Sequence, residues 1–159
     1  MKYVITGPAA SGKTTFAATL EAKGLKLAKA MTTRPKRGPL DREYNFASAE
    51  DVKSSCEIYH VYNTWYYGFT KAQLFASDVF IAGAEMALKL QDYFGADKCL
   101  VIFLNAPENL RRMRLKFRDD KADGVDERIT RDYKDYAMFS EQERFDVEIS
   151  NFTLNQPKA

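Results

Sequence analysis

The sequence predicts an α/β fold of three layers: a parallel five-stranded sheet, helices on both of its faces, and a small β-rich insertion. Three observations predict it. Short apolar or β-branched runs alternate with segments of helical periodicity, the order that builds βαβ units. A glycine-rich turn joins the first such run to the first helix. Between Tyr44 and Thr70 the alternation gives way to aromatic and β-branched residues around Asn63 and Thr64, the pattern of a hairpin.

Taken in order, "KYVIT" (Lys2–Thr6) reads as a buried strand. "KTTFAATLEAKG" places Phe16, Ala17 and Leu20 at helical spacing, with Gly24 as the stop. Leu25–Ala30 alternates apolar and basic residues, which predicts a strand. Ser48 is placed to N-cap a short helix, with Asp51 at the capping-box position. The hairpin follows, then a strand over Asp78–Gly83 and a helix over "AEMALKLQDYF". Lys98–Asn105 is apolar enough to be a central strand of a parallel sheet. Pro107 opens a helix that sets Leu110, Met113, Leu115 and Phe117 against a cationic face. The polar break "DDKADG" leads to a long charged helix from Val125 to about Glu143, and "RFDVEISN" closes the sheet. The whole is one domain over 1–159, with a core of 1–33 and 77–159, an insertion over 34–76 and a lid at about 114–131.

Bulk properties exclude several classes. A chain of 159 residues, 45% hydrophobic and 29% charged, suits one globular domain. Lys+Arg 24 against Asp+Glu 22 leaves +2, too little to argue for nucleic-acid or membrane binding by bulk charge. No apolar run approaches membrane-spanning length, and Gly7 interrupts the apolar start too early for a signal peptide. Cys56 and Cys99 are too few for a disulfide scaffold, so a reduced cytoplasm is the default and both are expected as core or near-core thiols with no redox role. One histidine, His60, makes histidine-rich metal chemistry a poor fit. It is expected to be a strand residue satisfied by a neighbour.

The strongest motif is "GPAASGKT" (Gly7 to Thr14), a match to G-x-x-x-x-G-K-[ST] with a strand before it and a helix after it. Gly7 and Gly12 let the backbone turn so that its N–H groups surround phosphate oxygens. The helix N-terminus adds its dipole. The nucleotide phosphates are therefore assigned to Gly7, Ala9, Ala10, Ser11, Gly12, Lys13, Thr14 and Thr15. Lys13 supplies charge at the β- and γ-phosphates, and the Thr14 hydroxyl is a ligand for Mg²⁺. This makes the fold a P-loop NTPase, with ATP and Mg²⁺ implied.

Downstream lies "MTTRPKRGPLDREYNF" (31–46). Arg34 and Arg37 form a pair of guanidinium forks suited to a second phosphate, their spacing stiffened by Pro35. Tyr44 adds a hydroxyl, and Tyr66, Tyr67 and Gly68 of the hairpin could close the far side. The dense cations of "LRRMRLKFR" before the polar break suggest a lid. Asp78 and Glu85 are placed either to reach Mg²⁺ through water or to cap elements.

With the P-loop, "TTRPKRG", "EYNF", "YYG" and "LRRMRLKFR" in that order, the chain resembles guanylate kinase over nearly its whole length. The P-loop is generic, whereas the TTR-x-x-R followed by Y-x-F is specific to that family. The resemblance implies that Arg34, Arg37, Tyr44 and Tyr67 bind a monophosphate acceptor. It also implies that lid arginines, Arg114 or Arg118 with Arg128 or Arg131, close over the transferred group. Lys13, Arg118, Arg128 and Arg131 are the catalytic candidates.

Departures cluster on base recognition. Ala30 stands where the family has a serine, and Glu57 matches the base-reading glutamate only with a hairpin loop one residue longer. "VFIAGAE" lacks the family's aspartates, the acidic residue after Gly38 is displaced to Asp41, and Arg42 replaces a small residue. The expected function is transfer of the ATP γ-phosphoryl group to GMP, dGMP or another nucleoside monophosphate, by a monomer or homodimer with no membrane and little prospect of a nucleic-acid partner. The alternatives are a kinase acting on a hydroxyl of a modified base or nucleotide in DNA, and a non-catalytic binding module of the same fold.

Overall fold

A computed structural model of the chain describes residues 1–36, 38–39, 43–118, 124–141 and 144–150, with the backbone alone at 118, 138, 140 and 141. The elements run β1 (Lys2–Thr6), α1 (Lys13–Glu21), β2 (Met31–Thr32), β3 (Asn45–Phe46), α2 (Ala49–Ser55), β4 (Cys56–Tyr62), β5 (Trp65–Thr70) and α3 (Lys71–Ala76). They continue as β6 (Val79–Ile81), α4 (Ala84–Phe94), β7 (Cys99–Asn105), α5 (Glu108–Arg118), α6 (Val125–Glu141) and β8 (Val147–Ser150).

Two sheets form. The main one has the order β6-β1-β7-β8 and is parallel throughout. The period of two along β1 explains the three layers. Val4 packs with Phe80, Met86, Leu90, Val101, Phe103, Tyr136 and Phe139 on the side of α4 and α6. Its neighbour Ile5 points the other way, against Ala17 of α1 with Val79, Ile102 and Leu104. Both are completely buried, as a strand covered on two faces requires.

Among the described residues the main sheet has four strands, not the expected five. Leu25–Ala30 does run beside β6, where the Val79 N–H donates to the Lys26 carbonyl (3.0 Å) and the Ala28 N–H to the Val79 carbonyl (2.9 Å). It is reduced to one parallel bridge, Leu27 with Val79. The insertion takes the backbone away from there. The Gln73 side-chain amide donates to the Lys29 carbonyl, and Met31–Thr32 pairs antiparallel with β5.

The second sheet, ordered β3-β2-β5-β4, is the insertion. Its hairpin turns through Asn63 (φ 49°) and Thr64 (φ 68°), both left-handed, as a two-residue turn between twisted strands demands. Ser48 caps α2 by accepting from the Asp51 N–H (3.1 Å). The helix α3 was hidden in the sequence by its brevity. Thr70 and Gln73 form a reciprocal capping box there, and Leu74 anchors it in the core. The two-residue strands β2 and β3 lie within the stretch read as a basic loop.

On α5 the expected apolar stripe is corrected. Met113 and Phe117 are exposed, while Leu115 is buried together with Arg111 one turn before it. Leu115 packs with Ala10 of the glycine-rich turn and Ile129 of α6, so the inward face of α5 carries an arginine that the sequence placed on its wet side.

Candidate active site

The turn between β1 and α1 is built on backbone that only particular residues accept. Gly12 sits at φ 103°, and a Cβ on Gly7 would collide with the Leu104 carbonyl. The loop therefore lies directly on the carboxyl end of β7, where ligands bind in such sheets. Lys13 Nζ folds back over it and donates to the carbonyls of Gly7 (2.7 Å) and Pro8 (2.9 Å). The Thr14 hydroxyl donates to Glu43 Oε1 at 3.0 Å. Ser11 Oγ is buried with no hydrogen-bond partner.

Residues of α5 and α6 hold the turn from above. The Ala9 N–H donates to Asp132 Oδ2 (2.8 Å), the Gly7 N–H to the Tyr136 hydroxyl (3.2 Å), and Arg114 Nη1 to the Ala10 carbonyl (2.8 Å). Arg111 Nη1 lies 3.8 Å from Asp132 Oδ2, both side chains being about a tenth exposed, and Arg111 Nε donates to the Ala106 carbonyl at 3.0 Å. Burial raises the Asp132 carboxyl above the ordinary aspartate value, opposed by the Ala9 N–H and by Lys13 and Arg111. Burial likewise raises the phenol of Tyr136. Sequence reasoning missed Asp132 and Glu43. A signal for Asp132 existed: it interrupts the stripe Ile129, Tyr136, Phe139 at helical spacing, so it had to point inward.

One cavity of about 520 Å³ joins this turn to the insertion. Gly7, Ala9, Ala10, Gly12, Lys13 and Thr14 line one end, whereas Ser11 and Thr15 do not reach its wall. Arg34, Tyr44 and Tyr67 line the other end, and Arg128 and Arg131 of α6 stand over it. Arg34 is only 3% exposed, its guanidinium 5.0 Å from the Tyr44 ring and 5.8 Å from that of Phe46. Its Nη1 donates to the Pro35 carbonyl at 3.2 Å. Tyr44 meets Tyr67 edge-on at 5.8 Å, and Tyr67 stacks on His60 at 6.0 Å. The insertion also touches α6: the Tyr62 hydroxyl donates to Asp135 Oδ2 at 2.7 Å, and Arg131 lies 5.7 Å from the Tyr62 ring. Burial and that carboxylate together raise the Tyr62 phenol.

Other expected residues fall elsewhere. Arg37, Asp41 and Arg42 lie outside the described residues, as does the side chain of Arg118. Glu57 is exposed and does not line the cavity. The strand explains why: β4 shifts register between Cys56 and Ile58, and Ile58, His60 and Tyr62 take the inner face. His60 is not satisfied by a neighbour, since its buried Nδ1 has no hydrogen-bond partner. Burial is the main cause of its lowered pKa, with Glu85 opposing and Lys89 reinforcing. Asp78 is occupied in holding the Lys26 N–H at 2.9 Å. Glu85, in the first turn of α4, opens onto the cavity. Burial pushes the Cys99 thiol up to about 11 and raises that of Cys56, which makes both poor nucleophiles at neutral pH.

Among the described residues no cluster of three or more His, Cys, Asp or Glu could hold a metal ion. The hydroxyl and carboxylate of Thr14 and Glu43 nevertheless fit Mg²⁺, which takes few protein ligands and completes its shell with water and substrate phosphates. Among the described residues, no helix is long and apolar enough to cross a membrane.

No family model matches the sequence, and no curated protein does. Among solved structures, the crystal structure of guanylate kinase from Anaplasma phagocytophilum superposes with a TM-score of 0.64 at 16% identity, covering 96% of this chain and 77% of that one. Such an identity speaks for architecture alone: the chain has a guanylate-kinase-like fold.

Proposed function

We propose that the chain is a nucleoside monophosphate kinase, moving the γ-phosphoryl group of ATP onto the phosphate of a nucleoside monophosphate. The observation that carries this reading is the single cavity with two cationic ends, Lys13 in the glycine-rich turn and Arg34 beneath Tyr44 and Tyr67. Phosphoryl transfer is mainly positioning and charge stabilisation, so a donor grip facing an acceptor grip is what it requires. An acceptor phosphate is already ionised and needs no general base.

In this reading the N–H groups of Ala10 and of Gly12 to Thr15 cradle the ATP phosphates, those of Gly7, Ala9 and Ser11 being held by Tyr136, Asp132 and the Pro8 carbonyl, and Lys13 exchanges its two loop carbonyls for phosphate oxygens. Arg34, Arg37, Tyr44 and Tyr67 hold the acceptor phosphate. Arg128 and Arg131, with Arg118, supply charge over the transferred group. Thr14, and Glu43 beside it, would hold Mg²⁺, which when bound offsets the charge that builds on the phosphate oxygens. Asp132 and Tyr136 fix the glycine-rich turn by accepting from the Ala9 and Gly7 N–H groups.

The test is an ADP-release assay with Mg-ATP across all ribo- and deoxynucleoside monophosphates. Turnover of at least one supports the proposal. Turnover of none, by a folded chain that binds ATP, defeats it.

A further inference from the structure

We infer that Tyr62 is a positioning residue of the phosphoryl transfer: with Asp135 it clasps the acceptor-holding insertion to α6 and so fixes the Arg131 guanidinium over the transferred group. This rests on the monophosphate-kinase reading above, in which Arg131 supplies charge there, and adds to it how that charge is tied to the acceptor end.

The clasp has two contacts. The Tyr62 hydroxyl donates to Asp135 Oδ2 at 2.7 Å, joining residues 73 apart in the chain, and the Arg131 guanidinium lies 5.7 Å from the Tyr62 ring. Arg131 and Asp135 stand one turn apart on the same face of α6, so a single side chain of the insertion meets both. Burial and the Asp135 carboxylate raise the Tyr62 phenol above its ordinary value, so it keeps its proton and remains a donor at neutral pH. A hydrogen bond to a charged acceptor is among the stronger ones, and this one is partly shielded from water. Tyr62, Arg131 and Asp135 all line the cavity.

Each partner is tied to one end of the cavity. Tyr62 is the last residue of β4 and pairs with Trp65 across the turn at Asn63 and Thr64. His60, two residues before it on the same face, is the ladder partner of Tyr67. The clasp therefore lies only about 7 Å along the strand from a residue of the acceptor grip. On α6, Asp132 follows Arg131 directly and accepts from the Ala9 N–H of the glycine-rich turn at 2.8 Å. Arg131 thus stands between an anchor to the donor end and an anchor to the acceptor end. A long arginine side chain has many rotamers, and phosphoryl transfer is sensitive to misplacement of charge by as little as about 1 Å. Loss of the Tyr62 hydroxyl leaves Arg131 positioned by α6 alone. The β4–β5 ladder is made by backbone groups, so that loss leaves the hairpin intact and falls on the chemical step.

The test uses the monophosphate that the unmodified chain turns over fastest with Mg-ATP. It measures kcat and KM for Tyr62→Phe, Asp135→Ala, Asp135→Asn, Arg131→Ala and the pair Tyr62→Phe with Arg131→Ala. Calorimetry gives ATP affinity, and melting curves give stability. Tyr62→Phe keeps the ring and should lower kcat by about tenfold, with ATP affinity and melting temperature little changed. Asp135→Ala should lower kcat to a similar extent, whereas Asp135→Asn, whose amide oxygen still accepts from the phenol, should keep most of the rate. In the Arg131→Ala background Tyr62→Phe should cost less than about twofold, because the residue through which it acts is gone. A loss of the same size in that background overturns the role of Tyr62, and so does a kcat that Tyr62→Phe leaves unchanged. A loss of kcat accompanied by an equal loss of ATP affinity, or by a melting temperature lowered far enough to unfold the chain in the assay, overturns it too, since the contact then serves the fold alone. In all of these the kinase stands. Turnover of no monophosphate by an ATP-binding chain overturns the kinase reading and this inference with it.

Discussion

Lys13 is the residue on which the proposed chemistry turns, because its ammonium lies on two carbonyls of its own loop and can change partners without moving far. Lys13→Ala should lower kcat/KM by about a thousandfold, as loss of one preorganised charge at a phosphoryl group does. Its melting temperature should change little, since the two hydrogen bonds lost lie within its own loop. A steady-state assay beside a thermal melt checks both. His60 gives a second prediction with a sign. Its folded-state pKa lies below the ordinary value of 6.5, so below that pH the unfolded chain takes up a proton that the folded chain resists. Stability is therefore present above 6.5 and is lost as pH falls. The groups that bear on it are Glu85 and Lys89 of α4 and the stacked Tyr67 of β5. Urea melts between about pH 7 and pH 5 should show a loss in the unmodified chain that is smaller in His60→Phe. Equal slopes would show that burial of this imidazole costs nothing.

Two elements are held by arrangements that single substitutions expose. The helix α6 reaches the glycine-rich turn through Asp132, which serves both the Ala9 N–H and the Arg111 guanidinium. Asp132→Ala leaves a cation without its counter-charge and an N–H without its acceptor, so it should cost about 3 kcal/mol in denaturant unfolding. A cost near zero would mean that water takes over both roles. The hairpin stores strain at Thr64, a β-branched residue at φ 68°. Thr64→Gly should stabilise the chain by about 1 kcal/mol, because glycine reaches that region without the Cβ clash and the rest of the turn already suits it. Destabilisation would show instead that the entropy of an added glycine outweighs the strain.

At the scale of the molecule, the two ends of the cavity are bound by different parts of the chain, the glycine-rich turn and the insertion, with α6 touching both through Asp132 and through Asp135. A bisubstrate ligand, adenosine joined by five phosphates to a nucleoside, should therefore bind one per chain and raise the melting temperature more than ATP and the monophosphate do together, since one molecule meets the cost of association once. Calorimetry and a thermal-shift series measure this. Additive shifts at matched saturation would mean that the two ends act separately.

Local pattern was enough for much of this. The run Lys2–Thr6, the glycine-rich turn, the caps at Ser48 and Thr14's place on the first helical turn, and the Asn63-Thr64 hairpin were all legible, because each depends on residues within a few positions of one another. The short helix α3 escaped because a capping box and one buried leucine are a weak signal. Four features needed the tertiary structure: the edge segment Leu25–Ala30 that loses its strand to the insertion, the inward turn of Arg111, the burial of Asp132 against the Ala9 N–H, and the exposure of Glu57 beside an unpartnered His60. Each of these depends on which face of an element meets residues far away in the chain. Sequence by itself determined that a glycine-rich turn of the G-x-x-x-x-G-K-[ST] pattern is present and that a basic, aromatic segment follows it. Only the packing of β4, β5 and α4 decided which side chains face the cavity, because a strand turns successive residues to opposite sides and a one-residue shift in register exchanges the two faces.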